Sequence, residues 1–236
     1  MKALILAAGL GSRLRPLTDE VPKAMVKFQG IEIIRQQINS LLMHGIKDIT
    51  IVVGYKSEVL INFLDSNFNL KFNIVKNDFY ESSSSAYSSM GAFEKFIESD
   101  YIHINCDILF SNSLLSSLLS DSRRNILCVR SDLELTQTME NAIGIEGRIV
   151  NMALRKSNLA KFKAFGLAKI SSEALKENLT FYKGLKEDLQ MKENYFGLIR
   201  MCLGKVEYHY IESDKENLSE LNSLEDLDNC RFLIQK

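Results

Sequence analysis

An apolar run near the N-terminus, ended by a glycine-rich loop, constrains the fold more than any other feature of the sequence. Residues 3–8 read A-L-I-L-A-A, and Gly9-Leu10-Gly11 follows. Such a run bounded by glycine is typical of a strand buried on both faces, as in a parallel sheet. The two glycines let the backbone turn sharply and let a ligand approach with no Cβ in the way. The run therefore predicts an open α/β sheet with a ligand at the carboxyl edge of its first strand.

Positive charge follows this loop at Arg13, Arg15 and Lys23. Free backbone N–H groups in a glycine loop, together with fixed cations, suit the binding of a phosphate chain. The loop is not a P-loop, because no Gly-Lys-Ser/Thr follows, and Leu14 stands where a dinucleotide fingerprint needs its third glycine. For the glycines alone, a structural turn before a solvated basic loop remains an open alternative.

The whole stretch L-A-A-G-L-G-S-R-L-R-P-L-T…V-P-K-A resembles the signature of nucleotidyltransferases. These enzymes join an NTP to a sugar phosphate or another small phosphorylated acceptor and release pyrophosphate. Within the family the stretch is most similar to small cytidylyltransferases that act on phosphocholine or aminoethylphosphonate. Enzymes that act on phosphoglutamine in capsular phosphoramidate synthesis belong to the same group.

The resemblance implies CTP as the nucleotide, Mg²⁺ as the cofactor and two catalytic cations. Arg13 is expected to hold the β- and γ-phosphates, and Lys23 to bridge the α-phosphate and the incoming oxygen. The residues implied to bind the nucleotide along this stretch are Leu6, Ala7, Ala8, Gly9, Gly11, Ser12, Arg13 and Lys23.

Acidic and amide residues elsewhere are candidates for a metal site. Asp107 directly follows a strand-like run, at the edge predicted for the glycine loop, and Mg²⁺ is usually held by one or two carboxylates plus phosphates and water. Residues 218–227 resemble the family's C-terminal acidic motif, with Asn222 where an Asp is usual, so Glu220 is a second candidate. Alternatively, Asp107 caps the next helix, and Asn222 or Ser223 caps the last one.

A serine run before a helix-like segment is a candidate nucleotide contact. Ser84, Ser85 and Ser88 fall where related cytidylyltransferases carry Asn-Asn ahead of Tyr-Ser, and their hydroxyls can donate and accept hydrogen bonds. A flexible polar loop is the alternative for this segment. Asn77-Asp78 is a weaker candidate for the pyrimidine edge, since a turn at a strand end explains it equally well.

The sequence gives fewer indications of which residues bind the acceptor. Residues 164–171 resemble a strand of the aminoethylphosphonate-type enzymes, and the acceptor candidates are Arg155, Lys156 and Lys169. A solvated pair at a hairpin edge is the alternative for Arg155-Lys156. The chain has no Trp for an aromatic cage around a quaternary ammonium. This composition favours an amino-acid-like zwitterionic acceptor over phosphocholine.

Composition limits the class of protein. A net charge of −1 offers no strong field for nucleic acid or membrane. Four widely spaced cysteines predict buried thiols in a reducing cytoplasm. The short N-terminal apolar run leads straight into basic residues without a convincing cleavage site, so a strand is expected instead of a signal peptide. A homodimer is the expected assembly.

The alternation of strands and helices predicts a doubly wound, mainly parallel, Rossmann-like mixed α/β sheet. We expect a single domain over residues 1–236, with a core of about 1–131 and 204–236 and a small appended acceptor-binding lobe of about 132–203. Two further functions stay open. One is a sugar-1-phosphate nucleotidyltransferase using UTP, dTTP or GTP. The other is an inactive nucleotide-binding regulatory subunit, which the uncharged Asn222 leaves possible.

Overall fold

Strands alternate with helices along most of the chain in the computed structural model, which describes residues 1–93, 99–153 and 158–230. The strands are β1 Lys2–Ala7, β2 Lys27–Phe28, β3 Ile31–Glu32, β4 Ile49–Val53, β5 Asn73–Lys76, β6 Tyr101–Asn105, β7 Ile108–Phe110, β8 Ile126–Arg130, β9 Asn141–Ile145, β10 Arg148–Ala153, β11 Phe162–Ile170, β12 His209–Ser213 and β13 Leu218–Glu220. The helices are α1 Ile33–Met43, α2 Ser57–Asn67, α3 Ser85–Phe93, α4 Asn112–Ser120, α5 Ser172–Gly184, α6 Glu187–Lys192, α7 Tyr195–Cys202 and α8 Leu224–Asn229.

A nine-stranded mixed sheet in the described part of the chain organises the fold. Its strand order is β5-β4-β1-β6-β11-β8-β12-β10-β9. Strands β5, β4, β1 and β6 are parallel, β11 runs antiparallel to both of its neighbours, and β8 is parallel to β12. The doubly wound α/β fold predicted from the alternation of elements is confirmed.

Hydrophobic packing covers both faces of the sheet. Successive residues of β1 belong to different clusters: Leu4 packs in one with α3, α5 and α7, and Ile5 packs in the other with α1, α2 and α4. Ala3 and Ile5 are fully buried, as a strand with two covered faces requires. The first strand therefore has the double burial that its unbroken apolar run predicts.

The carboxyl ends of β1 and β6 lie side by side. Leu6 of β1 is in register with Asn105 of β6, so the glycine loop and Asp107 leave the sheet at the same edge. A two-stranded ribbon completes this edge, because β13 pairs antiparallel with β7 directly after Asp107. The sequence pattern did not predict this ribbon, and it is the element that carries the C-terminal segment back to the sheet edge.

The segment predicted as an appended lobe shares the central sheet. Strand β11 lies between β6 and β8, so residues 132–203 are continuous with the core sheet through it. That this segment binds an acceptor stays a prediction. After α7 the chain returns to the sheet as β12, and the described part ends just beyond α8. Among the described residues no helix combines the length and the apolar character needed to cross a bilayer.

Candidate active site

The glycine loop turns through a left-handed residue. Gly11 has φ 63°, a value that favours glycine, and a Cβ placed there would lie 3.0 Å from the Cβ of Lys23. The Thr18 hydroxyl donates to the Gly11 carbonyl at 3.0 Å and fixes the turn. Within the described residues, the backbone N–H groups of Gly9 and Leu10 donate no hydrogen bond. They remain available to an anion at the end of β1.

Four polar side chains from distant parts of the sequence meet beside this loop. The Lys23 ammonium donates to Asp107 Oδ2 at 2.6 Å and to Asn222 Oδ1 at 2.9 Å. The Arg13 guanidinium donates to the same Asn222 oxygen at 2.9 Å. The Leu221 N–H donates to the Asp107 backbone carbonyl at 2.9 Å, which ties the end of β13 to the backbone of residue 107. Ribbon pairing thus brings Asn222 to Asp107 across more than a hundred residues of sequence.

The charge of Lys23 is stabilised in this cluster. Burial of the side chain opposes protonation, but the nearby Asp107 carboxylate, with smaller contributions from Cys106 and Glu220, outweighs it, so the pKa of Lys23 is raised above the ordinary lysine value. The side chains of Lys23 and Asp107 are only 12% and 15% exposed, so water screens the pair weakly. Lys23 is therefore a permanent cation at the mouth of the glycine loop.

The cluster also fits a hard divalent cation. Asp107 Oδ1 is buried and has no hydrogen-bond partner in the described part of the chain, so one carboxylate oxygen is left for another ligand. The Asn222 side-chain oxygen accepts from the same Lys23 ammonium that donates to Asp107. No group of three or more His, Cys, Asp or Glu residues is arranged for a metal among the described residues. One carboxylate and one amide suit Mg²⁺ that arrives with substrate phosphates.

A cavity of about 390 Å³ opens over the loop and the cluster. Of the residues predicted to bind nucleotide, Ala7 does not reach it; Ala7 packs in the core on the far face of the sheet. The lining residues are Leu6, Ala8, Gly9, Leu10, Gly11, Ser12, Arg13, Lys23, Tyr80, Ser83, Ser84, Ser85, Ser88, Asn105, Cys106, Asp107 and Asn222. This cavity is called the nucleotide pocket below.

The serine run lines one wall of the nucleotide pocket and is held from behind. The buried Asn77 amide donates to the hydroxyls of Ser83 and Ser88, both at 2.9 Å. The hydroxyl of Ser85 accepts from the Tyr195 N–H at 2.8 Å. Asn77 therefore orders the wall without lining it, and the serines form part of the hydrogen-bonded structure at the start of α3.

A second cavity of about 620 Å³ adjoins the nucleotide pocket. The two share Arg13, Ser85, Asn105 and Asn222, which therefore mark their junction. The remaining lining residues are Thr138, Met139, Glu140, Lys163, Ala164, Asn194, Phe196, Glu220, Ser223 and Asp226. This second cavity is called the acceptor pocket below, a name whose functional content is proposed in the next subsection.

Carboxylates and cations are paired around the acceptor pocket. Glu140 accepts from Asn194 at 2.7 Å and lies 3.3 Å from Arg200. Burial raises the pKa of Glu140, although its bond to Asn194 and the nearby Arg200 oppose the shift. Glu220, a candidate metal ligand from the sequence, forms an ion pair with Lys163 and does not line the nucleotide pocket. The structure thus places Glu220 in the lining of the second cavity, paired with Lys163.

The acceptor candidates taken from the sequence are placed differently. Lys169 lies near the end of β11, where it is in register with Ile102 and Ile126, and its ammonium donates to the Asp121 carbonyl. It lies at the opposite edge of the sheet from Asp107 and lines neither pocket. Arg155 and Lys156 lie outside the described residues.

Several lining residues were missed by the sequence reasoning. Tyr80, Asn105 and Lys163 carry no motif, although Asn105 has one usable signal: it is a polar residue at the end of a buried strand, two positions before Asp107. Cys106 also reaches the nucleotide pocket, but burial raises the pKa of its thiol to about 12, so it is a neutral wall residue.

Two sequence comparisons agree with this geometry. The CTP:phosphoglutamine cytidylyltransferase of Campylobacter jejuni subsp. jejuni serotype O:2 is 29% identical over 205 residues, which cover 80% of each chain. The choline-phosphate cytidylyltransferase of Streptococcus pneumoniae is 39% identical over 118 residues, or 50% of each chain.

Solved structures share the fold, and a family model covers the pocket residues of the N-terminal part. The inositol-1-phosphate CTP transferase from T. maritima superposes with a TM-score of 0.80 at 21% identity, over 97% of this chain and 91% of the other. The CTP:phosphocholine cytidylyltransferase from Streptococcus pneumoniae superposes with a TM-score of 0.75 at 24% identity, over 98% of this chain and 97% of the other. The nucleotidyl transferase family model matches residues 2–176, which include the glycine loop, Lys23 and Asp107. The chain belongs to the nucleotidyl transferase family of enzymes.

Proposed function

We propose that the protein is a Mg²⁺-dependent cytidylyltransferase that transfers CMP from CTP to a small phosphorylated or phosphonylated acceptor and releases pyrophosphate. The observation that carries the proposal is the cluster of Arg13, Lys23, Asp107 and Asn222 where a loop suited to phosphates meets a second, charged cavity. Two joined pockets, with the cation Arg13 at their junction and Lys23 in the nucleotide pocket, suit a reaction that links two phosphoryl groups.

In the proposed reaction a phosphoryl oxygen of the acceptor attacks the α-phosphorus of CTP. A new P–O bond forms as the bond to the β-phosphate oxygen breaks, and pyrophosphate leaves in line with the attack. The acceptor oxygen is already anionic near neutral pH, since the second pKa of a phosphate monoester is about 6. No side chain is required to remove a proton, which is consistent with the pocket's lack of a nucleophile–base pair among the described residues.

The side chains of the site would neutralise the charge of the phosphates and position the reacting groups. Lys23 lines the nucleotide pocket and would contact the α-phosphate and the incoming oxygen, while Arg13, at the junction of the two pockets, would hold the departing pyrophosphate. Both now donate to Asn222, so the phosphates replace an existing neutral acceptor. Asp107, assisted by the Asn222 carbonyl, would hold Mg²⁺, which when bound neutralises the triphosphate and orients it.

CTP is proposed as the nucleotide because two relatives with similar sequences are named as enzymes that use cytidine nucleotides. The ordered serine wall offers Ser84, Ser85 and Ser88 to the nucleotide, where a base edge would be read by hydroxyl groups. A sugar-1-phosphate enzyme using UTP, dTTP or GTP is the competing assignment, and an inactive regulatory subunit is the other.

The acceptor pocket favours an amino-acid-like acceptor. It presents Glu140, Lys163 and Asn194, and Phe196 is its one aromatic lining residue in the described part of the chain. An aromatic cage for a quaternary ammonium needs more than one ring, whereas mixed charges suit a zwitterion such as a phosphoamino acid. We propose that the segment of about 132–203 supplies this specificity, and that the product is an activated group for cell-surface polysaccharide. A cytoplasmic homodimer is proposed as the working form.

Pyrophosphate release tests the proposal directly. The purified protein is assayed with Mg²⁺ and each of CTP, UTP, dTTP and GTP, against phosphoglutamine, O-phosphoserine, aminoethylphosphonate, phosphocholine and glucose 1-phosphate. We expect release with CTP and an amino-acid-like acceptor. Release only with the sugar phosphate would reassign the enzyme, and CTP binding without release on any acceptor would favour the regulatory subunit.

A matched pair of lysine variants tests the mechanism in the same assay. Lys23→Ala should lower kcat by at least about a hundredfold, as expected when a cation aimed at the transferred phosphoryl group is removed. Lys27→Ala is the control, because this exposed lysine lies four residues away, pairs with Glu32 and lines neither pocket. Unchanged turnover in Lys23→Ala would overturn the assigned role.

A further inference from the structure

Asn105 lies at the boundary between the two pockets, yet none of the roles above uses it. It ends β6 and lines both the nucleotide pocket and the acceptor pocket. The other junction residues that carry charge or an amide, Arg13 and Asn222, already bond to each other. Asn105 is instead held from the interior of the protein, so its orientation is set independently of the cation cluster.

The interior partner is His103 on the same face of β6. The ring Nε2 of His103 lies 3.0 Å from Asn105 Oδ1, and the ring stacks on Tyr195 with centroids 3.6 Å apart. Burial lowers the pKa of His103 to about 3, so the imidazole is neutral at ordinary pH. Its Nδ1 is buried with no partner among the described residues.

These facts select one tautomer. A buried N–H without an acceptor is costly, so the proton is better placed on Nε2, where it can be donated, than on the unpartnered Nδ1. His103 Nε2–H therefore donates to Asn105 Oδ1. The amide of Asn105 is then fixed with its oxygen facing the interior, and its Nδ2, a donor of two N–H bonds, has no acceptor in the described part of the chain.

The neighbouring strand leaves room for this amide. A Cβ at Gly166 of β11 would overlap the Asn105 side chain, reaching within 2.6 Å of its Cβ and closer to its Cγ and Nδ2. Gln37 donates to the Asn105 carbonyl at 3.0 Å and fixes the backbone there. A hydrogen bond from His103 thus orients the Asn105 side chain, Gly166 leaves the space that it occupies, and Gln37 fixes its backbone.

We infer that Asn105 is a positioning residue for the acceptor, whose amide N–H donates to the acceptor's phosphoryl group at the junction of the two pockets. The inference rests on the proposed function and deepens it. A neutral, preoriented donor holds an anionic oxygen without quenching its charge, so the oxygen stays nucleophilic toward the α-phosphorus. Arg13 remains for the departing pyrophosphate, and Lys23 keeps its place beside the α-phosphate and the incoming oxygen.

Steady-state kinetics of Asn105 variants test the inference. With the acceptor that gives the fastest wild-type turnover, Asn105→Ala should raise the KM for acceptor by about tenfold or more, the usual cost of losing a hydrogen bond to a charged group. The KM for CTP should change by less than twofold. Asn105→Asp has the same shape and retains an acceptor for His103, but it places a carboxylate beside the phosphoryl group. It should therefore raise the KM for acceptor more than Asn105→Ala does.

A third variant separates positioning from general packing. His103→Phe keeps a ring against Tyr195 but removes the donor that orients Asn105, so it should raise the KM for acceptor by less than Asn105→Ala does. Equal rises in both KM values, or an acceptor KM within twofold of wild type in folded Asn105→Asp, would overturn the inference while the cytidylyltransferase assignment stands. Failure of the wild-type protein to use any phosphoryl acceptor would overturn both.

Discussion

A single amide oxygen holds the two catalytic-candidate cations together. Asn222 Oδ1 accepts from both Arg13 and Lys23, and Lys23 also donates to Asp107. A carboxylate at this position would neutralise the cations more strongly and would add a charged oxygen beside Asp107. The amide therefore keeps the cations available to phosphates and leaves the metal-candidate site with one formal negative charge.

Restoring a carboxylate should change cation binding before any nucleotide is added. We expect Asn222→Asp to bind Mn²⁺ about tenfold more tightly, because a unit charge about 4 Å from a divalent ion contributes about 2 kcal/mol even at the dielectric constant of water, and the neighbouring cations offset part of this. The measurement is a titration of free Mn²⁺ by electron paramagnetic resonance without CTP.

Two variants serve as controls for this prediction: one adds a carboxylate far from the site, and the other removes the candidate ligand Asp107. Asn229→Asp adds the same charge on an exposed position of α8 and should leave Mn²⁺ affinity within twofold. Asp107→Asn should weaken binding in either background. An Asn222→Asp protein with wild-type Mn²⁺ affinity would show that residue 222 does not face the cation.

Sequence motifs led to four residues that meet, Arg13, Lys23, Asp107 and Asn222, since each belongs to a patterned stretch or follows a buried strand. Lys169 also belongs to a patterned stretch, residues 164–171, but it does not reach the site. Its strand enters the sheet antiparallel to β6, so the end of β11 that carries Lys169 lies opposite the pocket edge. A strand's direction depends on its neighbours, and local sequence does not encode it. Lys163, at the other end of the same strand, reaches the acceptor pocket instead.

At the scale of elements, a capping box fixes the backbone that presents Asn222. Ser223 caps α8: its hydroxyl accepts from the Asp226 N–H at 3.2 Å. Asp226 Oδ2 in return accepts from the N–H groups of Asn222 and Ser223, at 2.8 and 2.7 Å. Of the two capping residues left open by the sequence, the structure thus uses Ser223. The helix start is built so that its cap also anchors residue 222.

Loss of the cap should therefore impair both stability and turnover. Asp226→Ala removes the acceptor for two backbone donors, so we expect a cost of about 1–2 kcal/mol in the free energy of unfolding. We also expect kcat to fall by about tenfold, because the Asn222 oxygen that positions Arg13 and Lys23 loses its anchor. Urea unfolding and pyrophosphate release measure the two effects.

Glu225→Ala is the matched control, since Glu225 is an exposed acidic residue in the same first turn of α8. It should leave kcat unchanged and cost less than about 0.5 kcal/mol. If Asp226→Ala kept full turnover despite reduced stability, the cap would stabilise the helix without positioning the site.

The alternation of the longer strands and helices followed from the sequence pattern, whereas the short strands and the pairing partners did not. Each of α1, α2 and α4 has an apolar stripe that the sequence displays. The ribbon of β7 and β13 is three residues long on each side, too short for an alternation to be visible, and its pairing crosses about 110 residues of chain. The site depends on this ribbon. Asp107 and Asn222 could therefore be identified as candidates from the sequence, but their proximity could not be predicted.

At the scale of the whole molecule, one sheet edge serves both pockets. The nucleotide pocket is built over β1 and β6, and the acceptor pocket extends from it toward β11 and the start of α8. The loop, the ribbon and the cap are separate in sequence but converge there. A ligand that occupies the nucleotide pocket therefore contacts several elements that unfolding would separate, and its binding energy adds to the stability of the whole chain.

Nucleotide binding should accordingly stabilise the molecule in a base-dependent way. At a CTP concentration about 100 times its Kd, with Mg²⁺, linkage gives about 2.7 kcal/mol. For a chain of this size that raises Tm by about 5–10 °C, measured by differential scanning fluorimetry. UTP and GTP at the same concentration should give smaller Tm shifts if the serine wall contacts the base, whereas equal shifts with all nucleotides would contradict that role.

Asp107→Asn should reduce the Tm shift caused by CTP only when Mg²⁺ is present, because the variant removes the carboxylate proposed for the cation but leaves the phosphate-facing loop and Lys23 in place.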